Sequence, residues 1–514
     1  MMNFISVLYL VTAAGASFIP INVSHNVPHY ASAAVNPSFL GFAFEETSFV
    51  YYGGNKTSPD IASRNLVQVI ANKTQARPLI RVGGTSLDHG TFNASQKEAI
   101  TIPPSEVGSG IPKGIQIGPS FFESFANFPT AQFMLDIPWA EQNLNNSIAF
   151  SRAAYRAIGK DRLFAFELGN EPNNYGRFKG GDKREKMESY AKEWAQWTDA
   201  IDDAVGVGSS SIWQGVVLSS ETGGRTHFPG GTSKDWKIPD LFENGLEQYA
   251  DRMKSVAMHY YQTQENPNTD IQADLLNHTA VVKGSEFIRK AVKYLRNPKR
   301  NIPVYLAEVG NTLGNGTKYI QLEGSLGSAL WQIDFSLYAM SIGVTGVNIQ
   351  CGTKFPFSLW RPNINHTHGE VLPAFYSHIF SAEFMGSSGN TRVTNIDLDS
   401  PFLSSYAAYE NGSIARVAII NLRQSDGSLS ENDAVRVALS VGDDVKTAEV
   451  KKLSSPNGAA ATAETISFDG TQWVYEDPRT EKKVKKYTKS SLSINGGTVD
   501  LEVKSSEAVI VYLE

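Results

Sequence analysis

Two carboxylates, each at the end of an apolar run, stand out in this chain of 514 residues. Phe164-Ala165-Phe166-Glu167-Leu168-Gly169-Asn170-Glu171-Pro172 reads as a strand that stops at an amide beside an acid. Ile302-Pro303-Val304-Tyr305-Leu306-Ala307-Glu308-Val309-Gly310 closes on a single acidic residue in the same way. Two carboxyl groups facing one cleft suit the cleavage of a glycosidic bond, where one serves as general acid and the other stays ionised as nucleophile or base. Asn170 would add a donor to the sugar 2-hydroxyl, a bond that strengthens as the ring approaches an oxocarbenium ion. The competing structural reading makes Glu171 a cap for a helix opened by Pro172; a second carboxylate on a second strand weighs toward catalysis.

Such residues need strands that deliver them to one face. Short apolar runs alternate with helical patterns from residue 39 to about 386: Phe39–Glu45, Pro78–Gly84, Gln132–Trp139, Leu163–Leu168, Ile212–Ser219, Ser255–Tyr261, Ile302–Ala307 and Gly343–Gln350. Between them, segments such as Tyr190–Val205 and Gly284–Arg296 repeat apolar residues three and four apart, as amphipathic helices do. Eight units of this kind predict a (β/α)8 TIM barrel, with Glu171 and Glu308 at the C-terminal ends of strands four and seven. Long segments at 85–117, 220–240 and 352–371 would rim that same face, and loops of such length are usually functional. After residue 386 the pattern changes to short alternating strands, including Ser413–Leu422, Ala434–Val441, Gln472–Glu476, Thr498–Val503 and Ala508–Leu513. Asn411-Gly412, Asp469-Gly470 and Asn495-Gly496 punctuate them, which predicts an antiparallel β-sandwich over 387–514. The barrel would occupy 17–386, with 17–35 a candidate strand of the β-domain.

Composition narrows the classes. With 41% apolar and 19% charged residues the chain can bury a large core, and its net charge of −6 argues against a nucleic-acid binder. Met1–Ala16 carries an apolar run followed by small residues, and reads as a signal peptide too short to span a membrane. Nine Asn-x-Ser/Thr sequons, at Asn22, Asn55, Asn72, Asn93, Asn145, Asn277, Asn315, Asn365 and Asn411, agree with a secreted, N-glycosylated protein. Cys351 is the only cysteine, so no intrachain disulfide forms, and a thiol ending an apolar strand reads as buried packing. No His/Cys/Asp cluster has metal spacing and no phosphate-cradling loop is present, so no metal or cofactor is expected. The lysine-rich run Glu481–Lys489 reads as a solvated hairpin more readily than as a polyanion site.

Gly83-Gly84-Thr85, Gly169-Asn170-Glu171-Pro172, His259-Tyr260-Tyr261 and Ala307-Glu308, with a β-sandwich after the barrel, resemble glycoside hydrolase family 79, the β-glucuronidase and heparanase family. The resemblance covers most of the chain. It implies that Glu171 is the acid/base and Glu308 the nucleophile of a retaining enzyme. It also implies that Glu45, Thr85 and Tyr261 line the sugar site. Arg81 is a candidate partner for Glu308, and His259 reads as a satisfied wall residue. The chain departs from heparanase after Glu308, where Thr312-Leu313-Gly314-Asn315-Gly316 replaces a Tyr-Gly-Gly turn. Backbone amides of Gly314 and Asn315, the Tyr261 hydroxyl and Lys354, set among Phe355, Phe357 and Trp360, remain as donors to a uronate carboxylate.

The resulting expectation is a secreted exo-acting β-glycosidase that releases terminal glucuronic acid or its 4-O-methyl form from a carbohydrate substrate, with no nucleic-acid or membrane partner. The alternatives are a β-glucosidase or β-xylosidase of the same fold and a non-catalytic carbohydrate-binding protein.

Overall fold

The computed structural model describes residues 18–206, 211–219, 236–264, 269–314, 320–364, 367–427, 434–484 and 490–514. The signal-peptide reading of 1–16, Asn315 and Asn365 with their sequons, most of the 220–240 segment and Lys485–Lys489 lie outside the described residues.

Eight parallel strands close into a barrel in sequential order: Leu40–Glu45, Leu79–Gly83, Gln132–Ile137, Leu163–Leu168, Trp213–Leu218, Met253–Gln264, Val304–Leu313 and Gly346–Cys351. All are buried over nearly their whole length, which is why they read as continuous apolar runs rather than alternating ones. Each predicted strand is present. The sixth and seventh extend well past their predicted ends, through polar residues that are buried here.

Alternation along the strands organises the interior. Leu79, Met134 and Tyr305 pack together at the floor, and two residues further along the first two of these strands come Arg81 and Asp136. The barrel is therefore apolar below and charged toward the mouth. Helices Lys183–Val205, Glu286–Leu295, Leu326–Ser341 and Ala374–Met385 cover the outside. The first starts where Asp182 accepts hydrogen bonds from the Arg184 and Glu185 amides, and stops at Gly206 in a left-handed conformation.

The last two helices also pack against a nine-stranded antiparallel sheet formed by residues after 390. That sheet is buried on both faces. Tyr406, Ala418, Ile420 and Ile510 join the barrel core, while Ala407, Val417, Ile419 and Val509 join a second core. A four-stranded sheet closes this second core, and Ile19–Asn22 from the N-terminus is part of it, paired in parallel with Val435–Ser440. Tight turns fall where the sequence signals them: Asn411-Gly412 and Asp469-Gly470 both adopt positive φ at both residues, the type I′ geometry. In the third hairpin Asn495 pairs with Thr498, so the turn residues are Gly496-Gly497, one position later than the Asn-Gly signal suggests.

Candidate active site

Strand four ends in a turn that has little freedom. Gly169 has φ of 75°, and a Cβ there would collide with the Tyr175 hydroxyl and the Trp139 ring. Its N–H donates to the Ile137 carbonyl on strand three at 3.0 Å, and the Glu171 N–H donates to the Val217 carbonyl on strand five at 3.1 Å. Glu171 itself sits at φ 53°, ψ 53°, a left-handed conformation unusual for glutamate. A short 3₁₀ turn, Pro172–Asn174, follows, and the Glu171 side chain makes no capping bond to it. The carboxylate instead meets Asn174 Nδ2 at 3.0 Å and His259 Nδ1 at 3.0 Å, with a quarter of the side chain exposed. The helix-cap reading of Glu171 is thereby set aside.

Strand seven brings the second carboxylate to the same place through a β-bulge. Met258 pairs with Leu306 but His259 pairs with Glu308, so strand seven has an extra residue at Ala307. This slip sets Glu308 beside His259 and Tyr261, which share the inward face of strand six. The Tyr261 hydroxyl donates to Glu308 Oε1 at 2.5 Å, and Arg81 Nη1 donates to Oε2 at 3.1 Å. His259 Nδ1 lies 3.0 Å from Glu171 Oε1 and 3.7 Å from Glu308 Oε2. Those two carboxylate oxygens are therefore at most about 6.7 Å apart.

Arg81 ties the site together. Beyond Glu308, its Nε donates to Glu167 Oε2 at 2.9 Å and its Nη2 to Asn170 Oδ1 at 2.8 Å. Because the Asn170 oxygen is committed to Arg81, the amide nitrogen is left as a donor, and it lies 3.5 Å from Thr85 Oγ1. Glu167 is held from the other side by Gln214 Nε2, and Gln214 accepts in turn from Ser255 Oγ.

Among the described residues acids outnumber bases in this interior, and several carboxyls are pushed toward the protonated form. Burial, with a smaller contribution from the Glu308 charge and opposed by bonds from Ser86, pushes the Glu45 carboxyl up to about 7. Burial and the neighbouring Glu45 push Glu46 well above the usual carboxylate range, and burial and Asp88 do the same to Asp136. The Tyr261 phenol is raised far above its ordinary value by burial and then by the adjacent Glu308. Burial works against the Arg81 cation, but Glu167 and Glu308 more than offset it.

Six of the seven residues singled out as a site converge. Glu171, Glu308, Asn170, Thr85 and Tyr261 are joined by the contacts above. Glu45 ends strand one with its carboxyl against Gly84, where a Cβ would strike it. Gly314 does not converge. Strand seven stays paired to strand six through Gln264 and Leu313, which carries Leu313 and Gly314 roughly 16 to 20 Å past Glu308. Both are exposed, and a sugar ring held on Glu308 cannot span that gap. Other expectations also change. His259 is not a satisfied wall residue: its Nδ1 faces both carboxylates, and its buried Nε2 has no hydrogen-bond partner among the described residues. Trp360 is fully buried and donates to Ser63, so it belongs to the core rather than the rim. Lys354 is exposed and donates to the Gly108 carbonyl, which links the 85–117 and 352–371 loops. Phe357 packs beside Tyr261 and stacks on Phe355. Cys351 is buried, its thiol pushed up to about 12 by burial, in keeping with a packing role. The one signal that marks His259 in the sequence is its spacing two residues before Tyr261.

Residues 405–510 match the glycosyl hydrolase family 79 C-terminal beta domain. A β-glucuronidase of Aspergillus niger is 25% identical over 521 residues, covering 96% of this chain and 94% of the relative. A β-glucuronidase of Neurospora crassa is 26% identical over 449 residues, covering 80% and 76%. Among solved structures, a 4-O-α-L-rhamnosyl-β-D-glucuronidase from Fusarium oxysporum superposes with a TM-score of 0.79 at 20% identity, covering 96% of this chain and all of that one. A family 51 arabinofuranosidase from Xanthomonas axonopodis shares the fold at a TM-score of 0.62. The resemblance to glycoside hydrolase family 79 holds: the chain is a relative of fungal β-glucuronidases and carries that family's C-terminal beta domain on a TIM barrel.

Proposed function

We propose that the protein is a retaining exo-β-glycosidase that hydrolyses terminal β-linked glucuronic acid, or its 4-O-methyl form, from glycans or glucuronides. The observation that carries this reading is the Glu171–His259–Glu308 contact at the mouth of a barrel whose full-length relatives are β-glucuronidases. Retaining enzymes hold their carboxyl groups about 5–5.5 Å apart and inverting ones about 6.5–9.5 Å. The two carboxylate oxygens that face His259 Nδ1, at most about 6.7 Å apart, are compatible with the retaining separation.

In this mechanism Glu171, one quarter exposed and flanked by His259 and Asn174, protonates the glycosidic oxygen. Glu308, oriented by Tyr261 and Arg81, attacks the anomeric carbon. The Asn170 amide donates to the 2-hydroxyl, and Glu45 takes up further hydroxyls. Glu171 then draws a proton from the water that releases the sugar. The protein acts outside the cell as a glycoprotein. The exposure of Asn22, Asn55, Asn72, Asn145 and Asn411 supports that setting.

Parallel assays on nitrophenyl β-glucuronide, β-glucoside and β-xyloside, with the first-formed anomer read by NMR, test the proposal. Turnover of the glucuronide with β-anomer released first is expected. Preference for a neutral sugar, or an α-anomer as first product, would overturn it.

A further inference from the structure

The Asp88 carboxylate lies outside every motif that marks the site, yet its partners lie on the loop that carries the acid/base turn and on the loop after the preceding strand. It closes the short helix Thr85–Asp88 after strand two and is almost wholly buried. Its Oδ1 accepts from the Trp139 and Ala140 amides, both at 2.9 Å, on the loop after strand three. Its Oδ2 accepts from the Tyr175 hydroxyl on the loop after strand four, four residues past Glu171. Burial raises the Asp88 pKa, opposed by the bonds from the Tyr175 hydroxyl and from the Trp139, Ala140 and Asn170 amides. One carboxylate thus bolts three consecutive barrel loops together around Gly169-Asn170-Glu171.

The same peptide segment is gripped from its other side. Arg177 donates to the Ala140 carbonyl at 3.1 Å and the Trp139 carbonyl at 3.3 Å, and it stacks on the rings of Trp139, Tyr175 and Phe178. Asp88 takes the N–H groups of that segment and Arg177 takes its C=O groups. What the clamp restrains is a strained turn. Glu171 is left-handed, and so are Val216 and Val217, β-branched residues for which positive φ is unfavourable; the Val217 carbonyl receives the Glu171 N–H. Strain of that kind persists only where the surroundings over-determine it.

We infer that Asp88, acting through Tyr175 and the 139–140 peptide, is a positioning residue that holds the left-handed turn aiming Glu171 at the glycosidic oxygen. The inference rests on the reading of Glu171 as the acid/base. It places a specific demand on kinetics, because misdirected proton donation hurts poor leaving groups far more than good ones. A general loss of structure hurts both alike.

The test compares kcat/KM for dinitrophenyl β-glucuronide, whose leaving group needs no proton, with that for an alkyl β-glucuronide, whose leaving group does. Asp88→Asn and Tyr175→Phe are expected to lower the alkyl rate by about 10- to 100-fold and the dinitrophenyl rate by less than about 3-fold. Tyr175→Phe removes a single hydroxyl and serves if Asp88→Asn does not fold. Equal losses on both substrates, or no loss on either, would overturn the inference. Glu171→Gln runs alongside as the reference. If Glu171→Gln discriminates between the substrates and the other two variants do not, only the role of Asp88 falls. If Glu171→Gln fails to discriminate, the acid/base reading falls and this inference with it.

Discussion

Two buried charge clusters in this molecule are built on opposite plans. At the barrel mouth, among the described residues, one cation, Arg81, is shared by Glu167 and Glu308, with Asp136 and Glu45 also within its field. Among the described residues several acid oxygens there have no hydrogen-bond partner, including Glu45 Oε1 and both of Glu46. At the junction between barrel helix and β-sheet a single carboxylate, Glu383, is held by Lys73 at 2.6 Å, Lys451 at 2.8 Å and the Tyr512 hydroxyl at 2.9 Å. Burial opposes its charge, but Lys73 and then Lys451 outweigh it and hold the carboxyl down to about 2. The junction is satisfied and serves stability. Among the described residues the mouth holds more buried acids than cations, an arrangement that suits groups which hold or release protons.

The largest effect that separates the two is catalytic. With Glu308 as the proposed nucleophile, Glu308→Gln should lower kcat on any glucuronide by at least about 10⁴-fold, while the melting temperature holds or rises. Glu383→Gln should do the reverse, leaving kcat within about 2-fold but destabilising by about 2 kcal/mol at pH 7. The sign of its pH dependence is fixed by a depressed pKa. The stabilisation is complete above the unfolded value near 4.5 and disappears as pH falls through about 2, where variant and parent should converge in a denaturation series.

Glu45 should show the opposite trend. Its carboxyl is raised from 4.5 to about 7, so the fold favours the protonated form. Stability is intact below 4.5 and erodes as pH climbs through 7. Glu45→Gln, which mimics the neutral acid, should therefore raise stability by about 1–3 kcal/mol at pH 8 and change it little at pH 4. Equal gains at both pH values would show that the mouth is not strained by charge.

The smallest effect lies at a third site, where the β-sheet meets the barrel helices. His278 Nδ1 lies 3.0 Å from both oxygens of Asp334, and the Tyr406 hydroxyl donates to Asp334 Oδ1 at 2.6 Å. Burial works against the imidazolium, but Asp334, with a contribution from Asp397, raises its pKa above 6.5. Its stabilisation is present below the unfolded value and lost as pH rises through the folded one. His278→Asn should cost about 1 kcal/mol at pH 5.5 and progressively less above neutrality, read from paired thermal melts.

The barrel was legible because its strands are buried on both faces and therefore stand out as unbroken apolar runs between amphipathic helices. Leu163–Leu168 is placed to the residue. Legibility failed where burial did not track polarity. Thr263, Asn311 and Thr312 continue strands six and seven although their side chains are polar. Leu403–Glu410 lacks an alternating pattern because its sheet packs on both sides. Gly314 lies away from the site because the seventh strand runs on as far as Leu313, so its turn comes later than the resemblance implies.

The amino-acid pattern marks the candidate groups, because acid residues that end apolar strands of a parallel barrel must emerge at one face. It determined the architecture for the same reason, the period and length of the apolar runs. Tertiary structure decided how those groups are set. The bulge at Ala307 aligns Glu308 with His259, the Val217 carbonyl and Asp88 hold the turn at Glu171, and Arg81 links both carboxylate strands. These are pairings between residues some 50 to 230 positions apart, fixed by register and backbone conformation that no local pattern encodes.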